Sequence, residues 1–263
     1  AMKQSTHLGL LEGQTALITG AGNGIGAAIA KTFAAEGANL ILTDINQARC
    51  ESTLASLSHN ESNSRYIQAD LSNKTEQRQL IDAIKDDLIT CFIHCASPRR
   101  LEKDVVDTVS EETWDEMLAV NVSAGFLIAR HVSKKLIEKN KPGNIVFTTS
   151  LHAETPRNLP HYSASKAAQT MVVKELAKSL GRHGIRVNAI APGAIPGGGF
   201  NAAASGIERL KACTSLGRLG TPEDIANAAL ALVCDRFFGY VTGATIPVDG
   251  GLALHNWIEP PAV

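Results

Sequence analysis

The stretch TALITGAGNGIG, residues 15 to 26, decides the fold. Its first five residues form a short apolar run, which passes directly into glycines and then into the helical pattern GIGAAIAKTFAAEG (24 to 37). An apolar run, a glycine turn and a helix in direct succession read as a buried parallel strand feeding a crossover helix. Gly20, Gly24 and Gly26 are spaced to supply a tight turn, close backbone approach to a bound group and tight helix packing.

Six more runs follow: NLILTD (39–44), SRYIQAD (64–70), ITCFIHCA (89–96), GNIVFTTS (143–150), IRVNAIAP (185–192) and ATIPVD (244–249). Most are apolar on both faces, and segments with apolar residues at three- and four-residue spacing separate them, often closed by glycine. The order βαβα throughout predicts an α/β fold: a single-domain, doubly wound Rossmann fold with seven parallel strands and helices on both faces. No repeat or Pro/Ser-rich linker divides residues 1–263. Within this one domain, residues 1–9 are expected to form a tag remnant and N-terminal arm, and the Gly/Ala-rich 193–215 a substrate lid.

Composition excludes several classes of function. The 263 residues are 44% hydrophobic and carry a formal charge of −1, with acidic and basic residues mixed, so no basic face argues for nucleic acid or anionic membrane. Cys50, Cys91, Cys95, Cys213 and Cys234 are odd in number and lack metal-ligand spacing, which argues against a disulfide framework or a metal site. No apolar run is long enough to span a bilayer, and the N-terminal residues lack the apolar core of a secretory signal. A cytoplasmic protein acting on a small molecule is the expectation.

The glycine turn opens a helix whose N-terminus can hold a pyrophosphate. Asp44 closes the second strand, where the adenosine ribose of a dinucleotide would lie and where a carboxylate can accept from both ribose hydroxyls. It would repel a 2′-phosphate by on the order of 4 kcal/mol at 4 Å and an effective dielectric near 20. Asn23 places no positive charge in the loop. The cofactor expected is therefore NAD.

TGAGNGIG (19–26), AD (69–70), VNV (120–122), IVFTTS (145–150), YxxxK (162–166), RVNAIAPG (186–193), RLGTPEDIA (218–226) and YVTGATIPVDGG (240–251) together resemble the short-chain dehydrogenase/reductase family, in its order and at its intervals. The resemblance implies that Tyr162 exchanges a proton with the substrate oxygen, that Lys166 favours the phenolate and binds the nicotinamide ribose, that Ser150 fixes the substrate oxygen and that Asn121 holds a water behind Lys166. It also implies cofactor contacts from Ile25, Ile45, Asp70, Leu71, Cys95, Ala96, Ser97, Pro192, Gly193 and Ile195, beside those of the glycine turn. A homotetramer is the family expectation. Physically, a phenol titrating near 10 needs roughly 4 kcal/mol to serve as a base near neutrality, and a lysine at i+4 supplies much of that.

Two departures stand out. The family's NNAG is HCAS here (94–97), with His94 read as a core histidine and Cys95 as a small buried hydrophobe. The serine-to-tyrosine interval is one residue short, and Thr149 offers a second hydroxyl; the strand pattern favours Ser150. Around the pocket, SPRR (97–100) and LHAETPRNLPH (151–161) are polar and basic. Arg99, Arg100, His152, Glu154, Arg157 and His161 suggest a sugar, polyol or hydroxy acid, with Arg100, His152 and Arg157 as substrate contacts. The alternatives are a 3-oxoacyl thioester reductase and, from another class, a non-catalytic dinucleotide sensor. The segment around Trp257 is left open between a neighbouring subunit's site and its own core.

Overall fold

A computed structural model describes residues 8–57, 63–197 and 204–254. The far N-terminal arm, part of the expected lid and the Trp257 segment lie outside these. The seven strands are β1 (Thr15–Thr19), β2 (Asn39–Asp44), β3 (Arg65–Gln68), β4 (Cys91–His94), β5 (Gly143–Thr148), β6 (Ile185–Pro192) and β7 (Thr245–Val248). They form one parallel sheet in the order β3-β2-β1-β4-β5-β6-β7. The expected doubly wound Rossmann architecture is thus present. The strand order reverses between β1 and β4, and at such a point the loops leaving the carboxyl ends part to open a crevice.

Alternation along each strand explains the two layers. Ala16 and Ile18 face one core with Leu40, Leu42, Ile93 and Val146. The residues between them, Leu17, Ile41, Phe92 and Ile145, face the other. Helices α1 (Gly24–Ala35) and α8 (Pro222–Val233) cover the first face. Helices α3 (Lys74–Ala83), α5 (Gly125–Glu138) and α6 (Pro160–Leu180) cover the second. The remaining helices are α2 (Gln47–Ala55), α4 (Glu111–Leu118), α7 (Ala204–Ala212) and the short α9 (Asp235–Phe238). Side-chain caps start several of them: Asn46 for α2, Asn73 for α3, Ser110 for α4 and a Thr221/Asp224 capping box for α8.

Strands β3 and β4 are shorter than the apolar runs that encode them. After β4 the backbone N–H groups of Cys95 and Ala96 reach the Thr19 hydroxyl, at 3.1 and 3.2 Å, with Cys95 also donating to the Thr19 carbonyl at 3.2 Å. Pro247 in β7 is tolerated because β7 is the edge strand of the sheet among the described residues. Between α4 and α5 the helix does not break but widens into a π-helical turn, Ala119–Ala124, which carries Asn121. Such turns are costly interruptions and often occur at functional sites.

Candidate active site

A cleft of about 750 Å³ lies along the carboxyl ends of the strands. At one end is the glycine turn. Gly20 has φ +67°, and a Cβ there would stand 2.7 Å from the backbone nitrogen of Ala96; a Cβ on Gly26 would stand 2.1 Å from the Gly20 carbonyl. Both glycines are therefore required for α1 to start so close to the turn. Asn23 caps α1 without a side-chain hydrogen bond, so the cap side chain does not satisfy the first-turn N–H groups at this end of the cleft. Asn23, Gly24 and Ile25 line it there.

Asp44 lies beside this turn, its carboxylate held from two sides. Oδ2 accepts from the Gly22 N–H and Oδ1 from the Asn46 N–H, each at 3.0 Å. A side chain on Gly22 would collide with that carboxylate at 2.9 Å. Ile45, Asp70 and Leu71 line the same end, Asp70 also accepting from the N–H and hydroxyl of Ser72. Arg49, on the first turn of α2, reaches the cleft here as well and was not anticipated; its only sequence signal is a position five residues after Asp44.

Cys95, Ala96 and Ser97, after β4, and Pro192, Gly193 and Ile195, at and after the end of β6, also line the cleft. The Cys95 thiol lies 3.1 Å from the Thr148 hydroxyl, and burial pushes it up to about 11, against the pull of Thr148 and Lys166. It is an inert thiol at neutral pH.

At the far end stand Ser150, Tyr162 and Lys166. Tyr162 and Lys166 occupy one face of α6, and both are buried. Lys166 Nζ donates to the Thr148 carbonyl at 2.8 Å and lies 5.5 Å from the centre of the Tyr162 ring. Burial alone would raise the Tyr162 phenol, but the Lys166 and Arg100 charges, with hydrogen bonds from Ser150 and Arg100, outweigh it and bring the phenol below its ordinary value. Lys166 is itself lowered by burial, opposed by Tyr162. The Thr149 hydroxyl is occupied by the Ile190 carbonyl at 2.9 Å, whereas Ser150 Oγ faces the cleft and accepts from the His152 N–H at 3.2 Å.

Asn121 does not line the cleft; it lies fully buried behind the tyrosine helix. Its amide donates to Ser165 Oγ at 2.8 Å, its backbone carbonyl accepts from Gln169 at 2.7 Å, and its Oδ1 has no hydrogen-bond partner among the described residues.

The Arg100 guanidinium sits over the Tyr162 ring, 4.7 Å from its centre, and the His152 ring meets the tyrosine edge-on at 5.2 Å. Burial, then Arg100, Arg157 and Lys166, hold His152 down at about 4, so it is a neutral imidazole at neutral pH. Arg99, Arg100 and Arg157 all line this end, with Glu116 as the acidic exception, also unforeseen. Glu154 and His161 are not among the lining residues. His161 directly precedes Tyr162 on α6, and successive helical residues point about 100° apart, so it is buried away from the cleft.

The family described as enoyl-(acyl carrier protein) reductase matches residues 20–253. The chain is 32% identical over 258 residues to rat (3R)-3-hydroxyacyl-CoA dehydrogenase, covering 92% of this chain and 97% of that protein. To 3beta-hydroxysteroid dehydrogenase 1 of Eggerthella lenta it is 34% identical over 266 residues, covering 93% and 95%. A gluconate 5-dehydrogenase from Burkholderia cenocepacia, solved with NADP and tartrate, superposes with a TM-score of 0.83 at 27% identity, covering 93% of this chain and 96% of that one. The protein belongs to the short-chain dehydrogenase/reductase family. It is an oxidoreductase of a family that uses a nicotinamide dinucleotide.

Proposed function

We propose that the protein is an NAD-dependent dehydrogenase that moves hydride between the nicotinamide and a secondary alcohol of a sugar, polyol or hydroxy acid. The observation that carries this is the Tyr162 phenol, lowered by two flanking cations at the basic end of the cleft. The glycine turn and the open first turn of α1 fit a pyrophosphate, Asp44 fits the adenosine ribose hydroxyls, and Lys166 fits the nicotinamide ribose. Bound there, the nicotinamide would supply or accept the hydride. In the oxidation direction Tyr162 takes the proton of the substrate hydroxyl, and in reduction it returns it. Ser150 donates to the substrate oxygen and holds it against Tyr162, while Asn121 steadies the helix behind them and offers Oδ1 to a water.

NAD is preferred over NADP because Asp44, pinned by two N–H groups, cannot turn away from a 2′-phosphate. The Burkholderia enzyme's NADP makes this a point to test, and Arg49 is the residue that could soften the preference. Arg100 and Arg157 favour an alcohol that also carries a carboxylate. Exposed Phe126 and Met171, on α5 and α6, are surfaces through which a homotetramer would pack, and light scattering measures that state.

The test is absorbance at 340 nm with NAD and NADP over sugars, sugar acids, polyols, hydroxy acids and their methyl esters. Faster turnover with NAD, and with acids over esters, is expected. Turnover confined to acyl thioesters would support the second reading, a 3-oxoacyl thioester reductase, which the similarity to the rat enzyme favours. Cofactor binding without turnover would point to a sensor.

A further inference from the structure

His94 is the last residue of β4, has no solvent exposure and makes no contact with the cleft. Its two ring nitrogens have different partners. Nδ1 lies 2.8 Å from the Thr19 hydroxyl, and Nε2 lies 3.0 Å from the Val120 carbonyl. The Thr19 oxygen already accepts from the N–H groups of Cys95 and Ala96. The Val120 carbonyl can only accept, so the ring proton sits on Nε2 and is donated to it, and Nδ1 accepts from the Thr19 hydroxyl.

Val120 belongs to the π-helical turn, one residue before Asn121. From Asn121 the bonds continue to Ser165 Oγ, which donates to the Tyr162 carbonyl at 2.8 Å, and to Gln169. A buried hydrogen-bonded path therefore runs from the residue before the glycine turn, through one imidazole, to the backbone of Tyr162. The ring has no freedom to swing. It meets Phe147 edge-on at 5.5 Å, and a Cβ on Gly125 would stand 2.8 Å from its Cδ2.

We infer that His94 is a positioning residue, holding the π-helical turn and with it Asn121 and the Tyr162 helix in register with the cofactor end of the cleft. The inference rests on Tyr162 and Lys166 being the working pair. A neutral ring suits the role: burial, with Lys166, holds His94 down at about 3, so the ring does not take up a second proton near neutral pH.

His94→Phe keeps an aromatic ring and removes both bonds; His94→Gln keeps a donor and an acceptor. In His94→Phe, kcat is expected to fall roughly tenfold or more with the KM for NAD and alcohol little changed, and His94→Gln to recover most of it. Amide hydrogen exchange, measured without cofactor, should quicken at residues 119–124 and 160–169 while β5 and β6 stay protected. Unchanged kcat, no recovery in His94→Gln, or exchange raised evenly across the sheet would overturn the inference. Should His94→Phe not fold, Thr19→Val, which strips the ring of its anchoring hydroxyl, is read by the same measures. A wild-type protein that turns over no alcohol overturns the dehydrogenase reading instead, and the exchange pattern then judges the positioning role alone.

Discussion

At Tyr162 two opposing effects meet: burial pushes the phenol up, and the Lys166 and Arg100 charges with their hydrogen-bonding neighbours bring it down further than burial raised it. Removing one cation should therefore be visible in the rate. In Arg100→Met the phenol rises, so alcohol oxidation reaches half its maximum at higher pH than in the wild type, and Arg100→Lys restores part of the difference. A pH-rate profile checks this, and an unmoved midpoint removes Arg100 from the tuning of the tyrosine. At the other end of the cleft, Asp44→Asn deletes the charge that faces a 2′-phosphate. The ratio of kcat/KM for NAD to that for NADP should fall by at least about tenfold. Residues such as Asp44, Tyr162 and Lys166 were legible in the sequence because each sits at a fixed offset from a strand end or within one helical turn of its partner. Arg49 and Glu116 were not, because they reach the cleft from helices whose orientation only the packing decides.

Among the elements, α1 approaches the sheet most closely at its own start. Gly26 leaves no room for a Cβ against the Gly20 carbonyl at 2.1 Å. Gly26→Ala must push α1 away from the turn, and isothermal calorimetry should show NAD binding lost or weakened by at least about tenfold, with circular dichroism still reporting an α/β fold. Undiminished binding would mean that the first turn of α1 is not where the pyrophosphate lies. The strands were readable in place and order, since a parallel sheet covered on both faces leaves continuous apolar runs. Their trimmed ends were not, because the β4 exit is decided by a Thr19 side chain on another strand. The π-helical turn was invisible for a similar reason: AVNVSA has the composition of ordinary helix, and the bonds that accompany the widened turn come from His94 and Gln169.

For the molecule as a whole, buried neutral histidines link stability to pH. His94 is held at about 3, and His152 at about 4, both by burial first. An unfolded chain protonates them near 6.5 whereas the folded one does not, so the unfolded state binds more protons as pH falls below that value. Stability is full above about pH 6.5 and declines as the medium is acidified toward the folded values. His94 alone contributes a slope on the order of 1.4 kcal/mol per pH unit within that window, and the partly exposed His152 adds less. Calorimetric Tm values between pH 7.5 and 5 should fall accordingly, and less steeply in His94→Gln; parallel slopes would contradict the assignment. The proposed chemistry turns on the phenolic oxygen of Tyr162, and the decisive comparison is NAD-linked turnover of the best alcohol by wild type and Tyr162→Phe, with NAD affinity measured on both. Turnover lower by about 10²–10⁴-fold with NAD affinity preserved is the result predicted. Turnover that survives the loss of the phenolic oxygen would contradict it.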